Sequence, residues 1–177
     1  MTPLFTLGKY EALEHLGTGT SADVYTARDT MLGRLVALKV LKRSIIPDDT
    51  AFDRFVREAQ VTSKLFHPHI ATVLDMGEAN GNYFIAMRYV EGVSLDKVIL
   101  QRRALPWKEA LQIITHIASA LESAHASGVV HRDVKPQNII VSEKEGAVLT
   151  DFGLAKALLG SGTAMTHTGA LLGTPYY

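Results

Sequence analysis

The alternation of apolar and polar positions in the first ninety residues predicts a β-sheet. Short strand candidates occur at residues 13–16 and 24–27, on either side of a turn of Gly, Thr and Ser residues. Residues 35–41, Leu-Val-Ala-Leu-Lys-Val-Leu, have the composition of a well-buried strand. Two further runs at residues 71–75 and 83–89 complete the set of strands predicted for the first part of the chain.

A helix is predicted to interrupt these strands. Apolar residues recur at helical spacing between the third and fourth strands, which predicts a helix over residues of about 50–65. The apolar positions that carry this period are Phe52, Phe55, Val56, Ala59 and, less strictly, Leu65. Pro68 marks its end, because the residue before a proline is disfavoured in the α region.

The pattern changes after Glu91-Gly92-Val93, where we place a boundary between a first part, residues 1–91, and a second part, residues 92–177. Residues 94–128 predict helices, with Pro106 at a first helical position and Gly128 at the stop. The predicted apolar stripe comprises Ala110, Ile114, Ile117, Leu121 and Ala124. Three short strand-like pieces follow, at Val129-Val130, at residues 139–141 and at residues 148–150, before a long loop that begins at Leu154.

Composition removes several classes of function. Among the 177 residues, Lys plus Arg is 18 and Asp plus Glu is 18, so the net charge of zero argues against a dedicated nucleic-acid binder. The chain has no cysteine, which excludes a disulfide scaffold, a thiol nucleophile and a Cys-ligated metal site. No apolar run approaches the roughly 20 residues that span a bilayer, and the N-terminus lacks a signal pattern. We therefore expect a cytoplasmic location with no membrane segment in this stretch.

Candidate chemistry begins at the small-residue turn Leu16-Gly17-Thr18-Gly19-Thr20-Ser21-Ala22-Asp23-Val24. Glycines there let backbone N–H groups approach a phosphate, although by itself such a turn is better explained as an ordinary hairpin. Lys39 lies within an apolar strand, where its charge is costly unless it is paired. The alternative is a lysine at a strand edge whose ammonium reaches water. With Glu58 as its expected partner, the combination favours a phosphate cradle.

The segment His131-Arg132-Asp133-Val134-Lys135-Pro136-Gln137-Asn138 concentrates a cation, a carboxylate and an amide between two apolar pieces. Taken alone it could be a solvated polar loop. Asp151-Phe152-Gly153 follows directly after a predicted strand, and a carboxylate at a strand end followed by glycine can reach a metal ion.

Together these motifs resemble the eukaryotic-type (Hanks-type) Ser/Thr protein kinases, and the chain is similar to the bacterial members. The Gly-rich loop, the Val-Ala-Leu-Lys strand, the His-Arg-Asp-x-x-x-x-Asn loop and Asp-Phe-Gly occur in the order and at the spacings of that family. The match runs from about Tyr10 to Tyr177. The resemblance implies an α+β, protein-kinase-like bilobal fold, with a complete N-lobe of antiparallel sheet plus one helix and a partial helical C-lobe.

The resemblance also implies catalytic roles and two cofactors, ATP and Mg²⁺. Lys39 would contact the α- and β-phosphates and pair with Glu58. Asp133 would accept or orient the proton of the substrate hydroxyl, and Lys135 would contact the γ-phosphate. The implied Mg²⁺ ligands are Asn138 and Asp151.

The implied ATP site joins the Gly-rich loop to the region around Met87. Gly17 and Gly19 would cover the phosphates, and the backbone of Arg88 and Val90 would bind the adenine. Taken by themselves, the apolar members of this set are better explained as core residues. The implied ATP-binding residues are Leu16, Gly17, Thr18, Gly19, Val24, Ala37, Lys39, Met87, Arg88, Val90 and Ile140.

The loop after Gly153 resembles an activation segment. Arg132, beside Asp133, resembles the family's acceptor of a phosphorylated loop residue. The candidate phosphorylation sites are Thr163, Thr166 and Thr168, and an equally weighted alternative is that threonine is frequent there because it is soluble.

The chain departs from the family pattern in three places. Ala22 stands at the position of the third glycine, and Thr62 stands where an apolar residue often packs toward Phe152. We also expect the chain to be truncated within the activation segment, because it stops before the Ala-Pro-Glu motif.

Two functions remain open at this stage. The first is a serine/threonine protein kinase that transfers the ATP γ-phosphoryl group to a protein Ser or Thr hydroxyl. Under this hypothesis the activity of the present chain by itself is left open. The alternative is a truncated, catalytically silent nucleotide-binding or interaction module. A kinase of small molecules is a weaker third hypothesis. The expected partners are a protein substrate and, for autophosphorylation, a dimer, with no nucleic acid.

Overall fold

The computed structural model describes residues 2–42, 56–57 and 59–152. Its first part is a six-stranded sheet in which the strands follow the order β1-β2-β3-β4-β6-β5 and every neighbouring pair is antiparallel. The strands are β1 (Phe5–Leu7), β2 (Tyr10–Thr18), β3 (Ala22–Asp29), β4 (Arg34–Leu41), β5 (Val73–Ala79) and β6 (Asn82–Arg88). The five predicted strands are all present, and β1 is an additional edge strand.

Strand alternation assigns the residues of β4 to two faces of this sheet. Val36 and Leu38 point to one face, where they are fully buried in an apolar cluster. Ala37 and Lys39 point to the opposite face, and the antiparallel register places Val24 beside Lys39 and Met87 beside Ala37. One face of the sheet is therefore covered by an apolar core, and the other carries the predicted site residues side by side.

Residues 56–57 and 59–62 are helical, in agreement with the predicted helix. Positions 43–55 and Glu58 lie outside the described residues, so the start of this helix and its expected glutamate are not part of the description. Thr62 is buried, and its hydroxyl donates a hydrogen bond to the Ala59 carbonyl at 3.1 Å. The hydroxyl that departs from the family pattern is thus satisfied within its own helix.

The second part combines helices with a small antiparallel sheet. Its elements are β7 (Val93–Ser94), α1 (Leu95–Arg102), α2 (Trp107–Ala126), a 3₁₀ helix (Pro136–Asn138), β8 (Ile139–Ser142) and β9 (Gly146–Leu149), and the sheet has the order β7-β8-β9. The prediction of a strand at Val129-Val130 is wrong. The Val129 N–H donates to the Ala124 carbonyl at 2.9 Å and closes the end of α2, so this backbone is not free to join a sheet.

Helix α2 buries a face rotated slightly from the predicted stripe. Its buried residues are Ile113, Ile117, Ala120 and Ala124, all within the apolar cluster that also contains Leu149 of β9. The placement of Ile114 in the stripe is wrong, since this side chain is exposed. Packing against β9 selects Ile113, which lies about 100° from Ile114 around the helix. Among the described residues, no helix has both the length and the apolar character needed to cross a membrane.

Backbone hydrogen bonds of residues 67–72 link the large sheet of the first part to the small sheet of the second part. Ala71 donates from its N–H to the Leu149 carbonyl, and Leu149 donates to the His69 carbonyl, both at 2.9 Å. On the other side, the Arg88 N–H donates to the Thr72 carbonyl at 2.9 Å. The end of β6 is therefore linked through this segment to β9.

Candidate active site

A cleft of about 620 Å³ lies between the open face of the large sheet and the small sheet. All eleven residues implied as ATP-binding line it, together with Asp133, Lys135, Asn138 and Asp151. The β2–β3 turn forms one side, β4 and the end of β6 form the back, and the 131–138 loop with β8 and residues 150–151 forms the other side. Residues that are distant in sequence thus meet in one cavity.

Lys39 forms an ion pair with Asp151 in this cleft. The distance from its Nζ to Oδ1 of Asp151 is 2.7 Å, and the two side chains are 10% and 30% exposed. Strand β4 lies between β3 and β6, so the alternative of a lysine at a sheet edge is wrong. A nearly buried ammonium group is stable here because a carboxylate balances its charge. The expected partner Glu58 lies outside the described residues.

His131 bonds to the backbone beside two carboxylates of the cleft, at Asp133 itself and at Thr150, which precedes Asp151. Its ring is buried, its Nδ1 accepts a hydrogen bond from the Asp133 N–H at 3.2 Å, and its Nε2 lies 2.7 Å from the Thr150 carbonyl. These contacts assign the proton to Nε2, because a carbonyl can only accept. Burial lowers the pKa of His131 despite the opposing effect of the Thr150 carbonyl, so the ring is neutral near pH 7. Phe152 packs edge-on against it at 4.6 Å.

Asp133, Lys135 and Asn138 form a compact polar cluster. Lys135 Nζ lies 2.8 Å from Oδ2 of Asp133, and the Asn138 amide donates to the Asp133 carbonyl at 2.8 Å and to its Oδ2 at 3.1 Å. The Asn138 carbonyl in turn accepts from the Thr150 N–H at 2.8 Å. Through these bonds the strand end that precedes Asp151 also supports the Asp133 side of the cleft.

Arg132, which precedes Asp133, and Asp151 itself adopt left-handed backbone conformations. Arg132 has φ of 65° and Asp151 has φ of 60°. For residues other than glycine this region is sparsely populated and costs about 1–3 kcal/mol, so it persists only where the surroundings enforce it. Here the enforcing contacts are those of His131 and the Lys39–Asp151 pair.

The Gly-rich turn is held by one backbone hydrogen bond and by the side chain of Lys42. The Gly19 N–H donates to the Ala22 carbonyl at 2.8 Å, and Lys42 Nζ donates to the Gly19 carbonyl at 2.8 Å. No atom lies near the position where a Cβ on Gly17 would be, which leaves the backbone open to an approaching ligand. Ala22 is buried with Leu41, so its methyl group contributes to the core.

The oxygen donors of the cleft suit a hard divalent cation. Mg²⁺ is usually held by one or two protein oxygen ligands, substrate phosphates and water, and Asp151 with Asn138 is a donor set of that kind. In the part of the chain that the structure describes, no three His, Cys, Asp or Glu residues group at metal-binding spacing. With Asp151 and Asn138 as its protein ligands, such a cation would complete its coordination with phosphate oxygens and water.

Several residues that line the cleft were not identified from the sequence. Ser94, Asp96 and Lys97 at the start of α1 line the cleft, as does Gln137. Their only signal is a cluster of polar residues at a helix start, which usually indicates capping. The candidate phosphorylation sites Thr163, Thr166 and Thr168 lie outside the described residues.

Comparison with known proteins agrees with this geometry. The sequence model described as "Protein kinase domain" matches residues 10–177. The chain is 44% identical over 170 residues to the probable serine/threonine-protein kinase PknB of Lactococcus lactis, covering 96% of this chain and 27% of that protein. It is likewise 44% identical to the serine/threonine-protein kinase PrkC of Bacillus subtilis, covering 96% of this chain and 26% of that protein. The chain thus spans about a quarter of the length of these relatives.

A solved structure shares the fold. The crystal structure of the Mycobacterium tuberculosis PknI kinase domain superposes with a TM-score of 0.76 at 38% identity, covering 85% of this chain and 62% of that chain. The predicted fold class is confirmed.

Proposed function

Because the chain belongs to the protein kinase domain family, with bacterial Ser/Thr kinases among its relatives, we propose that it transfers the γ-phosphoryl group of ATP to a Ser or Thr hydroxyl of a protein. One observation carries this proposal. The Lys39–Asp151 pair and the Asp133–Lys135–Asn138 cluster face a single cleft beneath the Gly-rich turn. Phosphoryl transfer needs that combination of cations, carboxylates and open backbone amides.

The proposed nucleotide orientation follows from the chemistry of the cleft walls. The adenine lies between apolar side chains of the large sheet and Ile140, against the backbone of residues 88–90. The phosphates extend below the Gly-rich turn toward Lys39 and Lys135. This orientation brings the most negative part of the ligand to the ammonium groups of Lys39 and Lys135.

In the proposed mechanism the protein acts mainly by positioning and by electrostatics. Asp133 accepts a hydrogen bond from the substrate hydroxyl and directs its oxygen at the γ-phosphorus. As the new O–P bond forms, the bond from the γ-phosphorus to the β,γ-bridging oxygen breaks, ADP leaves, and the hydroxyl proton passes to the Asp133 carboxylate. Lys135 neutralises charge that develops on the transferring group, and Asn138 fixes the orientation of the Asp133 carboxylate. Mg²⁺, when bound with ATP by Asn138 and Asp151, would supply further charge neutralisation on the phosphates.

The proposal is tested by the substitution Asp133→Asn. Loss of the carboxylate should reduce transfer of labelled γ-phosphate to protein by about 10²–10⁴-fold, the usual contribution of a positioned acid or base. ATP affinity should change little, because Asp133 is not placed against the adenine or the α- and β-phosphates.

The control is Glu122→Gln, which removes one carboxylate charge from the exposed surface of α2. It should leave both binding and transfer unchanged. Transfer retained in Asp133→Asn would overturn the role assigned to Asp133. Saturable ATP binding without transfer in the unsubstituted protein would favour the silent nucleotide-binding module instead.

We also propose Thr163, Thr166 and Thr168 as sites of autophosphorylation, carried out within a dimer. Mass spectrometry after incubation with ATP should find phosphate on at least one of them, and Asp133→Asn should carry none. Phosphate found only outside residues 153–177 would contradict this assignment.

A further inference from the structure

The side chain of Arg88 links three elements behind the cleft. Its Nη2 donates to the carbonyls of Pro68 at 2.9 Å and Ile70 at 3.1 Å, and its Nη1 pairs with the Glu145 carboxylate in the β8–β9 turn. Its backbone N–H donates to Thr72. A single residue at the end of β6 thus bonds to the 67–72 segment and to the β8–β9 turn, and the same residue lines the cleft.

The planar guanidinium group suits this position. Arginine offers five donors in a fixed fork, so it can serve two carbonyls and a carboxylate at once, which the single ammonium of lysine cannot do in the same geometry. The Arg88 and Glu145 side chains are 31% and 35% exposed, so the pair is partly withdrawn from solvent. Such charge-assisted bonds are stronger than those of a fully exposed pair.

Glu145 belongs to the β8–β9 turn, which packs against His116 of helix α2. Gly146 follows it with φ of 73°, and a Cβ there would overlap the ring of His116. His116 Nδ1 accepts a hydrogen bond from the Ala147 N–H at 3.2 Å, which ties the turn to helix α2. The carboxylate that holds Arg88 is therefore anchored to the second part of the protein.

We propose that Arg88 is a positioning residue for the nucleotide, and that Glu145 acts through it. The guanidinium, held by Glu145 and by two carbonyls of the 67–72 segment, fixes the backbone of residues 88–90 relative to the small sheet. The separation of the two walls around the adenine depends on this link. The inference rests on the proposed function, because the ligand it positions is the ATP proposed above.

A neighbouring ion pair provides a matched control. Lys144 Nζ lies 2.7 Å from Oε2 of Glu91 and also joins the β8–β9 turn to the chain after β6, but these side chains are 78% and 70% exposed. Exposed pairs of this kind contribute little. Comparing Glu145→Gln with Lys144→Gln therefore separates the effect of the half-buried link from the loss of any one ion pair at this turn.

The test measures ATP affinity by calorimetry and the KM for ATP and for the protein substrate in transfer assays. Glu145→Gln should raise the Kd and KM for ATP by about fivefold, a usual size for coupling between contacting residues, and Lys144→Gln should change them less than about twofold. Arg88→Met should have a larger effect than Glu145→Gln, and Arg88→Lys an intermediate one. The KM for the protein substrate should stay constant.

The double variant Arg88→Met/Glu145→Gln should bind ATP no more weakly than Arg88→Met, because Glu145 acts only through the arginine. Equal behaviour of Glu145→Gln and Lys144→Gln, or additive effects in the double variant, would overturn the inference. If Arg88→Met does not fold, Glu145→Gln and Arg88→Lys decide the question. Failure of the unsubstituted protein to bind ATP would instead refute the proposed function.

Discussion

Replacing His131 with phenylalanine should uncouple the Asp133 loop from strand β9. The substitution keeps an aromatic ring in a buried site and retains the edge contact with Phe152. It removes the acceptor of the Asp133 N–H and the donor to the Thr150 carbonyl, which are hydrogen bonds of 3.2 and 2.7 Å. Two backbone groups then lose their hydrogen bonds to the His131 ring.

The expected cost follows from the two hydrogen bonds that are lost. Leaving one buried donor or acceptor unsatisfied costs about 1–3 kcal/mol, so the two groups together should cost about 2–4 kcal/mol after some relaxation. For a protein of this size, about 1 kcal/mol corresponds to a change of roughly 2–4 °C in Tm. Transfer should also slow by about tenfold or more, since the Asp133 carboxylate would lose its fixed position.

The assay combines thermal unfolding with phosphoryl transfer at saturating ATP. His125→Phe, the same exchange at an exposed position near the end of α2, is the control and should stay within about 0.5 kcal/mol of the original protein. An unchanged Tm and an unchanged kcat in His131→Phe would refute the reasoning. A loss of stability without a loss of kcat would show that Asp133 is positioned by other contacts.

Two further predictions concern stability. Gly146→Ala should be more destabilising than Gly33→Ala by about 1–3 kcal/mol in chemical denaturation, since both glycines have positive φ but only Gly146 faces the His116 ring; equal losses would contradict this. Stability should fall as the pH drops below 6.5, because burial lowers the pKa of His131 beneath that ordinary value and the unfolded chain takes up the proton first. The dependence of Tm on pH between about 5 and 7 should be shallower in His131→Phe than in the unsubstituted protein. Identical profiles of the two proteins would contradict the contribution assigned to His131.

The meeting of the cleft residues could be predicted from the sequence, because the position of each residue follows from strand alternation, from short spacing or from a motif. The period of two along β4 places Ala37 and Lys39 on one face whatever the rest of the fold does. The short spacing from Asp133 to Asn138 likewise brings their side chains together, as the bonds between them show. The family resemblance supplied the relation between these local pieces.

Features that depend on tertiary packing could not be predicted in this way. Ile113 and Ile114 are equally apolar, and only the position of β9 decides which of them is buried. The two residues of β7 are too few to show a strand period. The link between Arg88 and Glu145 joins positions 57 residues apart, and no sequence pattern marks the pair.

The most direct measurement of the central claim is the identification of the product formed from γ-labelled ATP. The protein should be incubated with Mg²⁺, labelled ATP and a protein substrate, and the phosphorylated residues should be located by mass spectrometry alongside quantification of ADP. The account predicts phosphate on Ser or Thr hydroxyls in step with ADP release, and its loss in Asp133→Asn. Release of ADP with inorganic phosphate or a phosphorylated small molecule as the only product, in a protein that binds ATP, would contradict it.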